Sequence, residues 1–484
     1  MPNHNARTLR AGLVCAIALA AGLPIAALQT ASAGPPGHWT TLSVGHEDTV
    51  RQPAIHRFGH DSQVIWTQPT SVGSALWTRI LNSHGQPKTA PIRILNWAGI
   101  IEDPVIFAIG SERVIAFSGL RNGNTLDPYT SGAEYSLNST DGKTWKLHPG
   151  SLSASTAAYG SYGTAAIDHN GTPLVAFTEA SAQRITFHNG YDASSPATAP
   201  DGHTANTGNF AYDTGLGEDA RSSAVWVVWY SNSGKASTDA VSAQRIYPSM
   251  GTRVHAPNST AVIGGSRTST APDQDLPVVS RPAAAGGGVY TAYASPKDRS
   301  IVVWRVGSSH PAFTISSANG IGQVSMASGG HGRLWVFWRD GLSGHVWATR
   351  TNPAATRVGA IRSVAPPRGT TVYRTAGDGT PGTLDLVSLV SGSLNAMVST
   401  QVLPGLTASG SRTWHRGNRY VVRVTDAGVP VAGATVSFGG HTVHTNRRGI
   451  AHVHVAGGES LGRHSVSAHH VGYAAGGVRV TVKR

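Results

Sequence analysis

The residues of this chain that could hold a ligand stand beside short apolar runs. Gln68, Glu179, Tyr230, Arg339 and Asp340 follow the ends of such runs, whereas Arg51, Glu102, Asp103 and Arg368 come just before others. A guanidinium group binds a carboxylate through two parallel hydrogen bonds, so Arg51, Arg339 and Arg368 suit an acidic sugar or peptide. A carboxylate pair such as Glu102 or Asp103 with Glu179 could carry out glycosidic acid/base chemistry at a suitable separation. Taken singly, each of these residues is more ordinarily a solvated loop side chain. The histidines offer less. His452 and His454 alternate along one segment, with His441, His444, His469 and His470 near in sequence. No carboxylate completes a ligand set and the spacing matches no metal signature, so neither a metal nor another cofactor is expected. A surface that gains charge below pH ~6.5 is the milder expectation.

What must position these residues is a repeat. Seven apolar runs end on Trp66, Phe117, Phe177, Trp229, Tyr293, Trp338 and Leu389, at spacings of 51, 60, 52, 64, 45 and 51 residues. A period of about fifty without helical periodicity predicts a β-propeller with one four-stranded blade per repeat. Seven blades are expected, with six as the alternative. In each repeat a first strand opens near proline, the landmark strand follows, and a third alternates, as in Leu76, Thr78 and Ile80. The landmark residues are expected to fill the interfaces between blades, not to bind ligand. The last unit, 371–402, lacks a clear fourth strand, which 38–44 at the other end of the chain could supply. Segments 191–206 and 251–275 read as surface loops. On this topology the second strands end, and the first strands begin, on one face, which gathers the residues named above around a channel mouth.

The chain has 484 residues, 58 of them glycine, and only 13% are charged, which suits many short strands and tight turns. Residues 1–33 read as a Sec-type secretory signal: Arg7 and Arg10, an apolar stretch from Ala11 to Leu28, and the small-residue site Ala31-Ser32-Ala33. No twin arginine precedes the stretch. The sole cysteine, Cys15, would leave with the signal, so the secreted form would hold no disulfide and no thiolate metal site. No membrane span is expected after signal removal, and a monomer is expected.

Near residue 403 the pattern changes. The propeller is assigned to 38–404, a linker to 405–412, and a small β-sandwich to 413–484. Residues 405–484 carry nine arginines and one lysine against Asp426 and Glu459, while 34–404 has a net charge of only +3. Eight of the 22 histidines lie in the same tail. Such a surface favours polyanions, among them acidic glycans and anionic cell-wall polymers. Nucleic acid is not expected, for there is no basic helix or stacking motif.

Two segments carry family resemblances. Ser139-Thr140-Asp141-Gly142-Lys143-Thr144-Trp145 resembles the Asp box, or BNR repeat turn, of sialidase-type propellers. Leu81–Gly85 and Phe187–Gly190 occupy the equivalent turn in degraded form. In that family the boxes lie away from the active site, so the resemblance implies structural roles for Ser139, Asp141, Gly142 and Trp145. The family's catalytic set is not reproduced: Arg51 matches its arginine–x–proline signature only faintly, and no acid follows Trp66 in Thr67–Ser71. Val429–Val436, Thr445–Gly449 and Gly472-Tyr473 resemble carboxypeptidase regulatory-like, transthyretin-like and bacterial Ig-like modules, which implies a non-catalytic spacer or adhesion domain. The expected class is therefore all-β, a propeller with a C-terminal Ig-like sandwich. The expected function is secreted binding of a carbohydrate or cell-envelope ligand. An extracellular sialidase-like glycoside hydrolase or a polysaccharide lyase acting at the channel mouth is the rival.

Overall fold

The second strand of each repeat is apolar on both sides, and packing explains why. In Ala224–Asn232, Val225, Val227, Val228 and Trp229 are all fully buried, because the sheet is covered on both faces. A continuous apolar run is the sequence form of such a strand. The computed structural model describes residues 37–45, 52–120, 132–148, 161–179, 184–190, 205–206, 210–232, 240–259, 276–295, 300–317, 320–341 and 343–484. The proposed signal, 1–33, and Arg51 lie outside them.

The architecture is all-β and propeller-like. Before residue 403 the described strands form seven four-stranded antiparallel sheets, six of them built from four consecutive strands. In order, they span 54–97, 101–147, 161–206, 210–255, 278–316, 321–364 and 370–402. The seventh takes its outer strand from the other end of the chain: Thr40–Val44 pairs with Ala396–Val402, Thr40 opposite Ser399. The first strand of each sheet lies against the first strand of the next, and that of the seventh lies against that of the first. Apolar packing follows the same circuit. Each consecutive pair of sheets shares its own buried cluster, and Leu42, Val387 and Leu389 of the seventh join Val64 and Trp66 of the first. The seven landmark residues are all buried, none more than 2% exposed.

Polar clamps reinforce these seams. Asp385, on the seventh sheet, accepts from Ser62 Oγ at 2.9 Å and from Gln401 Nε2 at 2.8 Å and pairs with Arg57 of the first. Burial pushes the Asp385 carboxyl up, while Arg57 and the hydrogen bonds pull it back. Between the fifth and sixth sheets, buried Arg281 donates Nε to the Gly332 carbonyl at 2.8 Å. The turn at 139–145 behaves as its residue types require. Asp141 Oδ1 accepts from the amides of Lys143 and Thr144, both at 2.7 Å, and Ser139 Oγ accepts from the Gly142 amide at 2.8 Å. Gly142 has a φ of 71°, and Trp145 Nε1 returns to its carbonyl at 3.2 Å. That carbonyl also accepts from Gln63 Nε2 of the first sheet, so the turn latches two sheets together.

Two sequence assignments need correction. The stretch 405–412 is not a free linker: Thr407–Gly410 is a strand paired with Arg419–Asp426, and Leu406 is buried in the C-terminal core. The pairing gives the backbone of this stretch its partners. The presumed loops 191–206 and 251–275 end or begin in short fourth strands, Ala205–Asn206 and Val254–His255, while 191–204 and 260–275 lie outside the described residues.

The C-terminal residues form two sheets around one core that includes Trp414, Val422, Phe438, Val466 and Val480. Trp414 stacks on Tyr420 at 4.8 Å. The unit is fixed to the sixth sheet by a buried ion cluster. Asp426 meets Arg350 Nη2 at 2.5 Å and Arg333 Nη1 at 3.3 Å, with Arg350 and Asp426 each only 2% exposed at the side chain.

Candidate functional site

Between the first strands of the seven sheets lies a cavity of about 260 Å³. Every sheet contributes to its wall, through Ile55, Ile106, Ala165, Leu216, Val278, Met326 and Ala376 in turn. The lining side chains are mostly apolar, with Gln52, Thr164 and Ser325 among them, and no acidic or basic side chain lines it among the described residues. Behind the wall, Glu134 is fully buried and accepts from Ser118 Oγ and, at 2.9 Å, from Thr164 Oγ1. Thr164 faces the cavity, so this carboxylate holds the wall between the second and third sheets.

The rim has a construction that the repeat pattern did not reveal. Five of the seven first strands carry a register shift near their starts: between Glu102 and Val105, Tyr162 and Thr164, Tyr212 and Gly215, Ile321 and Gln323, and Val372 and Arg374. All five lie at the end of the sheets where second strands finish. A bulge bends a strand and re-aims side chains, and bulges concentrate at barrel rims and ligand sites. In the seventh sheet the extra residue is Tyr373, whose side chain is 44% exposed.

Those residues expected at this mouth that the structure describes share that end of the sheets but divide by role. Gln68 is half-buried and donates Nε2 to Ser43 Oγ at 3.2 Å, joining the first sheet to the closing strand. Tyr230 is 3% exposed and packs in the seam between the fourth and fifth sheets with Tyr293 and Trp304. Asp340 is fully buried; its carboxylate accepts from the Ser343 amide at 2.7 Å and from Trp347 Nε1 at 3.3 Å, shaping the turn to His345. Tyr230 and Asp340 thus do structural work, because their positions face the sheet seam and the turn instead of solvent. Arg368 is exposed. Glu102 and Glu179 pair with Ser118 and Ser161 by their backbones, while the side chains of Glu102, Asp103 and Glu179 lie outside the described residues.

Arg339 is the expected residue best placed to act. Its guanidinium crosses Gly322 at the sixth sheet's bulge, so closely that a Cβ there would sit 2.6 Å from Nη2. Burial holds its pKa below the usual arginine value, and the neighbouring Arg374 guanidinium adds to that. Arg374 and Tyr373 of the seventh sheet thus lie near enough to Arg339 of the sixth to act on its charge. Guanidinium groups of this kind donate paired hydrogen bonds to a carboxylate or sulfate, and an exposed phenol ring can lie against a sugar face. Tyr373 and Arg374 escaped the sequence reading because a bulge leaves no periodic signature. Their position at the start of a first strand was the available signal. Among the described residues no group of three or more histidine, acidic or cysteine side chains could hold a metal.

No family model matches the chain, and no curated protein matches it either. Among solved structures, it is similar to the polysaccharide lyase Uly1 at 8% identity and a TM-score of 0.42, over 75% of this chain and 92% of the other. It is also similar to Chaetomium thermophilum Sqt1 bound to the N-terminus of ribosomal protein L10, at 11% identity and a TM-score of 0.43, over 75% and 99%. A GH43_1 enzyme from Xanthomonas citri aligns at 10% identity and a TM-score of 0.34, over 75% and 90%. Likeness this distant transfers no activity.

Proposed function

We propose that this is a secreted binding protein that grips a carbohydrate or cell-envelope ligand bearing an acidic group at the rim of a closed seven-bladed propeller. A C-terminal Ig-like sandwich serves for spacing or attachment. The cyclic contact of the seven first strands and the seven seam clusters support the closed ring. What supports the ligand reading is that Arg339 crosses bulged Gly322, within electrostatic reach of Arg374 and of bulged, exposed Tyr373, at the end of the sheets where five first strands are bulged. The sandwich is fixed through Arg333 and Arg350, at the opposite end of the sixth sheet from Asp340, which leaves the rim uncovered by it. The turn at Ser139–Trp145 is consistent with kinship to Asp-box propellers, and the first 33 residues with export.

The test is a glycan array carrying neutral and carboxylated oligosaccharides, probed with the full chain. Retention of carboxylated members is expected, with Arg339→Ala and Gly322→Ala each weakening it about tenfold, the size of one lost charge-assisted contact. No binding to any member, or undiminished binding by both variants, would overturn the reading. Turnover of a retained glycan that Glu179→Gln abolishes would replace it with the glycosidase reading.

A further inference from the structure

The two acids of the C-terminal unit are both occupied. Asp426 is buried with Arg350 and Arg333, and Glu459 lies 3.5 Å from His464. What remains outside is cationic. The larger sheet runs Thr413–His415, Gly476–Lys483, Gly462–His469, Thr435–Phe438, His441–His444. Its inner side is set by Trp414, Val466, Val480 and Phe438. Strand alternation therefore sends Arg463, Ser465 and Ser467 outward from one central strand, and Arg479, Thr481 and Lys483 from its neighbour. Every other outward position of the five strands is serine, threonine, histidine or glycine. The face holds no acid, no phenylalanine, tyrosine or tryptophan and no large apolar side chain.

Such a face is costly for its own fold. Ser465 pairs with Arg479 and Arg463 with Thr481, which makes the two arginines diagonal neighbours on one face. Diagonal partners lie about 7–8 Å apart, and like charges in that relation repel. Solvated sheet faces ordinarily intersperse both signs.

We infer that this outer face docks a linear polysaccharide bearing carboxylate groups. The inference deepens the attachment role proposed above and rests on it. The charges decide the sign of the ligand, and the guanidinium forks suit carboxylates. Serine and threonine hydroxyls between them match a partner rich in hydroxyls. A single-stranded nucleic acid would want aromatic platforms, and Trp414 and Tyr420 are spent in the core and its edge. A membrane surface would want exposed apolar side chains, which this face lacks.

The experiment measures retention of the full chain on polygalacturonate, with dextran, single-stranded RNA and anionic phospholipid vesicles as the other probes. Binding to polygalacturonate alone is expected, weakening steeply with added salt. The double variant Arg463→Ser, Arg479→Ser should lose at least tenfold in affinity, and Arg463→Glu should lose more. Both sites are exposed, and an unchanged melting curve confirms the fold. Equal binding by the variants, equal binding to dextran, or preference for RNA or vesicles would overturn the inference. Binding of short carboxylated oligosaccharides at the rim should not change in the double variant. Loss confined to the polymer thus separates this face from the rim, and failure of the rim reading leaves the polymer result standing.

Discussion

At the scale of single residues, charge is used more often for closure than for display. Asp141 is exposed, yet the amides of Thr144 and Lys143 hold its carboxyl below the ordinary aspartate range. A depressed native pKa means that this turn contributes stability which is complete above the unfolded value of about 4 and is lost as pH falls toward the native one. Asp141→Ala should therefore lower the melting temperature at neutral pH. The gap from the parent protein should close between about pH 4 and pH 2. Parallel melting curves across that range would show that the carboxylate charge does nothing for the turn. Among these residues, Asp141 was legible because its motif is local: donors and acceptors sit within four positions. Arg339 was singled out by position alone. Tyr230 and Asp340 were misplaced for the same reason, since one residue's step along a strand exchanges the solvent side for the seam, and polarity does not disclose which.

At the scale of elements, the closing strand is the most consequential piece. Thr40–Val44 is five residues long and its only strand partner among the described residues is Ala396–Val402, yet it carries Leu42 into the cluster joining the seventh sheet to the first and takes side-chain bonds from Gln68 and Arg79 of the first. Leu42 is 1% exposed. Leu42→Ala should cost about 2–5 kcal/mol, the range for a buried leucine truncated in a well-packed core. In a ring, that loss opens the seam itself, so hydrogen exchange should quicken in both 396–402 and 62–66. Acceleration confined to 40–44 would mean that the strand is an ornament on a ring closed by Arg57 and Asp385. The strand was readable because the seventh repeat lacked a partner and an alternating segment waited at the other end. The bulges were not readable, since an extra residue near a strand start leaves the apolar run of the following strand unchanged.

At the scale of the whole molecule, the two units are locked by few groups. Asp426 brings its charge into a site shared with Arg350 and Arg333, and Arg350 also lies over Trp335 on one side and Tyr473 on the other, at 5.7 and 5.9 Å. A buried pair of this kind adds little over an apolar replacement, but breaking it leaves uncompensated cations. Sequence could not show it, because Asp426 reads as an ordinary turn aspartate before Ala427-Gly428 and its partners lie 76 and 93 positions away. The cluster fixes the C-terminal unit to one end of the sixth sheet, opposite the end at which five first strands are bulged. Asp426→Ala should cost about 3–5 kcal/mol at this junction. Because the core of the C-terminal unit is its own, the loss should appear as separation of the units and not as general unfolding. Scattering should report a larger radius of gyration, and proteolysis should become faster near 403–406, while both sets of core amides stay protected. A single cooperative collapse of the two cores would show instead that the junction is part of one folding unit, and that the outer face of the C-terminal sheet could not move independently of the rim.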